Sequence, residues 1–253
     1  MSLAGGAEGV TEDLLLGGRV RLRQPAVGYR AATDPVLLAA AVPARRGDRV
    51  LELGCGVGAA LYCLAVRVGG LALTGLDIQP RYLTLAQENA ELNGVRARLI
   101  RGDLAAMPAE LRAESFDQVM MNPPFHPPAA RPSRDAGRDR AHREETPLAV
   151  WVSAGLARLR QKGRLTLIHR AERLPEILGA LGGSAGEIVV KPLAARAGRD
   201  AKRVLVTARK DTGGPLRLAA PLVIHAGAVH LADRDDFAPE AAAILRDAAP
   251  LAL

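Results

Sequence analysis

From Arg49 onward the chain alternates short apolar runs with longer stretches whose apolar residues recur at helical spacing. RVLELG (49–54) reads as a buried strand, followed by a helix over about 58–68. ALTGLDI (72–78) is a second strand, and Pro80 suits the first turn of the next helix. That helix carries Tyr82, Leu85, Ala86 and Leu92 on one face and ends at Asn93-Gly94. ARLIRGD (97–103) and FDQVMMN (116–122) are the third and fourth strands. PLAVWVSAGLARLRQKG (147–163) predicts a helix stopped by Gly163, and RLTLIHR (164–170) a fifth strand. After a helix near 172–181, GEIVVKPL and RVLVTARK (203–210) close the series as two strands joined by a basic loop.

Strands that alternate with helices imply a parallel sheet covered on both faces. The last two strands have no helix between them, so the final one is expected to return antiparallel. The pattern therefore predicts an α/β fold: a doubly wound, seven-stranded, mostly parallel sheet with an antiparallel last strand. Such sheets bind ligands at the C-terminal ends of their strands, near the topological switch.

Composition adds bounds. The 253 residues are 49% hydrophobic and 24% charged, ordinary for a soluble globular chain. Aromatics make up only 3%, so Ala, Leu and Val must build the core. A net charge of +7 favours a polyanionic partner such as nucleic acid. Two cysteines, Cys55 and Cys63, are too few and too close for a disulfide framework, which points to a reducing cytoplasm. No apolar run reaches the roughly 18 residues of a membrane span, so no membrane partner is expected. The opening residues, MSLAGGAEGVTEDLLLGG, lack the regions of a signal peptide and read as a short flexible lead-in.

The chemistry-bearing motifs fall at predicted strand ends. ELGCGVG (52–58) comes after the first strand, and Gly54, Gly56 and Gly58 allow a tight turn and close backbone approach to a ligand. Asp77, with Ile78 after it, ends the second strand where an acid binds ribose hydroxyls. A nicotinamide enzyme is disfavoured, because the loop is E-x-G-x-G-x-G and sets Glu52 beside the turn, where a pyrophosphate is poorly served. A ligand with an α-amino group and a sulfonium fits better. Asp103 ends the third strand, placed to accept from an adenine amino group, and Leu104 offers an apolar contact. Glu52, Gly54, Cys55, Gly56, Gly58, Asp77, Ile78, Asp103 and Leu104 are thus candidate contacts for S-adenosylmethionine, with S-adenosylhomocysteine as product. No metal site enters this reading.

The fourth strand ends in Asn122-Pro123-Pro124-Phe125. An amine conjugated to a base, or an amide nitrogen, is a poor nucleophile because its lone pair is delocalised. Two acceptors, the Asn122 side-chain oxygen and the Pro123 carbonyl, bind both N–H groups and aim the lone pair at a methyl donor. Pro124 stiffens the turn, and Phe125 stacks on a flat substrate. Stacking on a base contributes about 1–3 kcal/mol.

With these motifs in register, the chain resembles the class I methyltransferases that carry an Asn-Pro-Pro-aromatic motif. Within them it is most similar to the family that methylates N6 of adenine 37 in valine tRNA. The resemblance runs over RVRLRQPAVGYRAATDPVLLAAAVP, VLELGCGVG, LDIQP, GDL, MNPPF and AKRVLVTARK. It implies a Rossmann-like methyltransferase fold and an RNA partner, with tRNA the first candidate. It also makes Thr33 and Asp34 candidate cofactor contacts, although the same residues suit a helix N-cap before Pro35. Residues 1–48 are expected to cover substrate and cofactor, and 49–253 to form the methyltransferase domain of one compact unit. Phe125 stands where Tyr is commoner in the group. Protein glutamine, ribosomal RNA guanine N2 and a non-catalytic RNA-binding module remain alternatives. Basic residues suited to tracking phosphates are Arg19, Arg21 and Arg23, then Arg131, Arg134, Arg138, Arg140 and Arg143 in the loop 126–146, and Arg196, Arg199, Lys202 and Arg203.

Overall fold

The computed structural model describes residues 9–27, 30–125, 146–227 and 236–253. The five arginines of the loop lie outside the described residues.

Among the described residues a nine-stranded sheet forms the centre. Its parallel half contains β3 (Arg49–Leu53), β4 (Ala72–Asp77), β5 (Ala97–Arg101), β6 (Phe116–Met121) and β7 (Leu159–Arg170). The chain runs outward from β3 through β4 to β5, then crosses back to place β6 on the other side of β3. The switch between β3 and β6 opens a crevice at their C-terminal ends. Beyond β7 the order is β9 (Ala201–Lys210), then β8 (Ala185–Ala194), and β9 runs antiparallel to both neighbours, as its sequence implied. Two short strands, β10 (Arg217–Leu218) and β11 (Leu222–Val223), extend the edge parallel to β8, beyond the seven strands expected.

Strand side chains alternate between faces, and each face has its own core. On one side Val50, Met120, Ile168 and Leu205 pack under α1 (Thr33–Ala41), α2 (Ala59–Arg67) and α3 (Pro80–Leu92). On the other, Leu51, Val119, Leu165 and Leu167 pack under α5 (Leu148–Arg158) and α6 (Leu174–Leu181). A single turn, α4 (Ala109–Arg112), precedes β6, and α7 (Pro239–Asp247) lies toward the C-terminus.

Two expectations are corrected. The helix expected over 147–163 ends at Arg158, and β7 begins at Leu159, opposite Phe116 of β6. Apolar spacing carries the helical pattern through Leu156 and Leu159, but Lys162 takes a left-handed φ of 59° that no helix continues. The N-terminal stretch is likewise more than a flexible lead-in. β1 (Val10–Leu15) pairs antiparallel with β2 (Val20–Pro25), and β2 alternates buried Val20 and Leu22 with exposed Arg21 and Arg23.

Helix α3 holds this hairpin through two asparagines one turn apart. The Asn89 side chain accepts from the Arg23 N–H at 2.7 Å and donates to the Arg23 carbonyl at 2.9 Å. Asn93 does the same to Arg21, at 2.8 and 2.7 Å. The two amides stand in for a neighbouring strand and satisfy the free edge of β2. Gln24 then clamps Ala31 from both sides, accepting its N–H at 2.8 Å and donating to its carbonyl at 3.2 Å. This brings the start of α1 to the sheet's C-terminal edge.

Candidate active site

A cavity of about 710 Å³ opens at that edge, over the switch between β3 and β6. It is lined by Glu52, Gly54, Cys55 and Gly56 after β3, by Asp77 and Ile78 after β4, and by Asp103 and Leu104 after β5. Asn122, Pro123, Pro124 and Phe125 line it from the end of β6. Of the residues singled out from sequence, Thr33, Asp34 and Gly58 are outside the lining. Their neighbours Ala31 and Pro35 take part instead. Asp34 pairs with the Arg203 guanidinium, and Gly58 caps α2 beneath the Tyr62 ring.

The turn after β3 has the conformation its glycines allow. Gly54 and Gly56 have φ of 69° and 53°, in the left-handed region. A Cβ at Gly54 would lie 2.6 Å from the Trp151 ring, so that position has no room for a side chain. A Cβ at Gly56 would meet nothing within 4 Å, which leaves open space beside its backbone. The N–H groups of Gly54 and Cys55 donate to the Leu76 carbonyl, at 2.8 and 3.0 Å.

Asp77 ties this turn to the next. Its carboxylate accepts from the Gly56 N–H and the Gln79 N–H, both at 2.8 Å. Burial pushes its pKa up, and the backbone N–H groups pull it back. Two bonds do not saturate a carboxylate, which has about four acceptor sites. Asp103 accepts from the Ala105 N–H at 2.8 Å, which fixes the turn after β5.

Glu52 differs from both. It is buried, and its Oε2 has no hydrogen-bond partner. Burial, with Asp77 nearby, raises its pKa well above the carboxylate range, against a backbone hydrogen bond that lowers it. A buried carboxyl with an unmet acceptor favours a cationic ligand group beside it. Among the described residues, the charged lining is Glu52, Asp77 and Asp103 with one cation, Arg101. The donor set therefore fits a positively charged ligand with hydroxyls, as a sulfonium nucleoside is. Among the described residues, no group of three or more His, Cys, Asp or Glu is placed to hold a metal ion.

Four contributors escaped the sequence reading. Trp151 of α5 and Tyr82 of α3 line the cavity, as does Thr146. The fourth, His169 near the end of β7, is fully buried against the proline turn. Its ring meets Phe125 edge-on, with centroids 5.2 Å apart. Its Nδ1 accepts from the Arg170 N–H at 2.8 Å, which leaves Nε2 to carry the proton in the neutral form. Burial and the nearby Arg173 bring its pKa down to about 4, although an interaction with the Pro124 carbonyl opposes the shift. At neutral pH this is an uncharged imidazole that braces the turn. Only contacts across strands reveal it; the sequence near His169 carries no signal.

A doubly wound sheet with a glycine turn and Asn-Pro-Pro-Phe at its switch has the Rossmann-like architecture of class I methyltransferases. The methyltransferase small domain model matches residues 31–180, and the chain belongs to that family. It is 31% identical over 138 residues to a tRNA1(Val) (adenine(37)-N6)-methyltransferase of Yersinia pestis, covering 51% of this chain and 55% of that one. A ribosomal protein L11 methyltransferase of Thermus thermophilus is 46% identical over 82 residues, 32% of each chain. The chain thus spans about half, or less, of the length of these curated relatives. Among solved structures, a predicted O-methyltransferase of Agrobacterium tumefaciens superposes with a TM-score of 0.72 at 26% identity, covering 87% of this chain and 99% of that one. No helix among the described residues is long and apolar enough to cross a membrane.

Proposed function

We propose that the protein is an S-adenosylmethionine-dependent N-methyltransferase that acts on an exocyclic amine of RNA, N6 of adenine in tRNA being the leading substrate. One observation carries this reading: Asn122-Pro123-Pro124-Phe125 opens into the same cavity as the glycine turn and the three acids. When bound, S-adenosylmethionine supplies an electrophilic methyl group on a sulfonium and leaves as S-adenosylhomocysteine. Glu52 and the turn Gly54-Cys55-Gly56 take the charged amino-acid end, Asp77 takes the ribose hydroxyls, and Ile78, Asp103 and Leu104 flank the adenine. The described part of residues 1–48 covers the site, with Ala31 and Pro35 in the lining. Thr33 and Asp34 act there through the position of α1.

Asn122 Oδ1 and the Pro123 carbonyl accept the two N–H groups of the target amine. That localises the nitrogen lone pair and orients it, while Phe125 stacks on the base. The two prolines and His169 hold these groups in place before substrate arrives, so little reorganisation is needed during reaction. No base need act before attack, because the product ammonium is acidic enough to lose its proton afterwards. The similarity to the tRNA adenine enzymes supports the acceptor. A protein amide is the second reading, since it presents the same two N–H groups and one relative methylates a ribosomal protein.

The test is incubation with methyl-tritiated S-adenosylmethionine and, separately, unmodified total tRNA, ribosomal RNA and a protein extract. Label in tRNA that digests to N6-methyladenosine is the expected result. Label in protein alone moves the acceptor to an amide, and label nowhere overturns the reading.

A further inference from the structure

At the opposite, N-terminal edge of the sheet lies a second cleft of about 930 Å³, between the end of α1 and the strands β6 to β9. Among the described residues, seven cationic side chains and three side-chain carboxylates line it. Arg164 and Arg209 sit directly opposite each other across the antiparallel β7–β9 pair. Opposed like charges destabilise such a pair. One residue, Glu187, offsets them, at 3.0 Å from Arg164 Nη2 and 3.2 Å from Arg209 Nη1. Glu187 reaches that position from a register shift between Gly186 and Val189, with a left-handed φ of 47°. Lys162, on the same lining, has a φ of 59°. Non-glycine residues held in that region are strained and cluster at functional sites.

One carboxylate for two guanidiniums leaves positive charge in excess. Arg45, Lys162 and Arg217 add to it and make no ion pair among the described residues. Beneath them the floor is polar. Gln118 and Thr207 are buried, and neither Gln118 Oε1 nor Thr207 Oγ1 has a hydrogen-bond partner. Two guanidiniums side by side, flexible cations around them and a hydroxyl below form a receptor for an anion with several acceptor oxygens. We propose that this cleft is a second binding site, for a phosphate group carried by an RNA backbone or by a free nucleotide. Along β6 the two linings stand about 13 Å apart, from Gln118 to Asn122 at about 3.3 Å per residue. A large RNA spans that distance, whereas a nucleotide in the cleft touches no methyl-transfer residue.

The experiment compares the wild-type chain with a Lys162→Glu, Arg217→Glu double variant, both positions being exposed and outside the first cavity. Binding of unmodified total tRNA is measured at two salt concentrations, and binding of ATP by calorimetry. S-adenosylmethionine affinity, expected unchanged, reports an intact fold. Should the double variant fail to fold, Arg45→Gln, on an exposed loop, repeats the comparison without reversing charge. Loss of about tenfold or more in tRNA affinity, with a shallower salt slope, assigns the site to RNA phosphates. Loss of ATP binding with tRNA unchanged assigns it to a free nucleotide. Equal binding of both probes by wild type and variant overturns the proposal, and so does binding of neither by the wild type. Binding is read directly, so failure of the methyl-transfer reading leaves this test standing.

Discussion

Among the described residues, the cavity lining at the C-terminal edge of the sheet carries Glu52, Asp77 and Asp103 against the cation Arg101; at the N-terminal edge the lining carries seven cationic side chains against three side-chain carboxylates. One strand, β6, reaches both. β6 contributes Asn122 just past one end and Gln118 near the other, so a few residues along one strand reverse the local charge. Parallel strands make this division possible, since every strand from β3 to β7 ends at the same edge and the loops after them gather there. The acidic edge suits a small cationic nucleoside, and the basic edge suits phosphate.

The sharpest way to break this comparison lies at the acidic edge. Asn122→Ala removes one of the two acceptors proposed for the target amine. It is expected to lower turnover about 100-fold or more, the scale seen when one preorganised polar contact to a reacting group is lost. S-adenosylmethionine affinity should stay near wild type. Single-turnover methyl transfer beside calorimetric titration separates the two effects, and near-normal turnover would sink the mechanism. The same substitution should leave tRNA affinity at the basic cleft unaltered.

Gly54→Ala tests the shape of that edge. The added methyl faces the Trp151 ring at 2.6 Å, at a residue whose φ is left-handed. Overpacking costs about 1–3 kcal/mol, and displacement of Trp151 should also weaken the cofactor. Tm and cofactor titration measure both, and a variant unchanged in either would show that the ring is free to move.

Much of this arrangement was legible in the sequence. The alternation of strands and helices, the antiparallel return of β9, and the acids and prolines at strand ends all arise from patterns local to a few residues. What was hidden depends on distant partners. Val10 and Leu14 are exposed on β1, so that strand lacks the clean hydrophobic face that marks one, and its partner strand is held by Asn89 and Asn93 of a helix. The end of α5 was misread because Leu159 keeps helical spacing, yet its place is decided by Phe116 across the sheet. Trp151 and Tyr82 join the cavity from separate elements, and His169 packs behind its proline turn. The basic cleft was equally invisible, because Arg164, Glu187 and Arg209 converge only through strand register.

Glu52 sharpens the electrostatic side of the comparison. In the free protein its pKa stands well above the carboxylate range, so it holds a proton to higher pH than an exposed glutamate. A cationic ligand favours the ionised form and must displace that proton. Cofactor affinity is therefore expected to rise with pH until Glu52 is ionised in the free protein, and then to level off. Glu52→Gln should flatten the profile and weaken binding at high pH by about tenfold, the equivalent of one pKa unit. Calorimetry in buffers of different ionisation enthalpy checks it, since the wild type alone should release a proton. His169 adds nothing to this profile, because its pKa of about 4 keeps it neutral throughout.

The smallest effect concerns the unpartnered oxygen at the other edge. Thr207 Oγ1 is buried without a hydrogen-bond partner, as Glu52 Oε2 is, but a hydroxyl cannot ionise and so asks for a dipole or a water where the carboxyl asks for a cation. Thr207→Val keeps the branched shape and the strand propensity while removing the desolvated group. An unsatisfied buried hydroxyl costs about 1–3 kcal/mol, so the substitution should stabilise the free protein by about 1 kcal/mol. For a chain of this size that raises Tm by about 2–4 °C. A fall in Tm would mean that an ordered water already fills the floor of the cleft. If phosphate-bearing ligands reach that floor, the variant should also bind them more weakly, so that Thr207→Val gains stability at the expense of the ligand, the pattern expected of a polar group kept for binding rather than for folding.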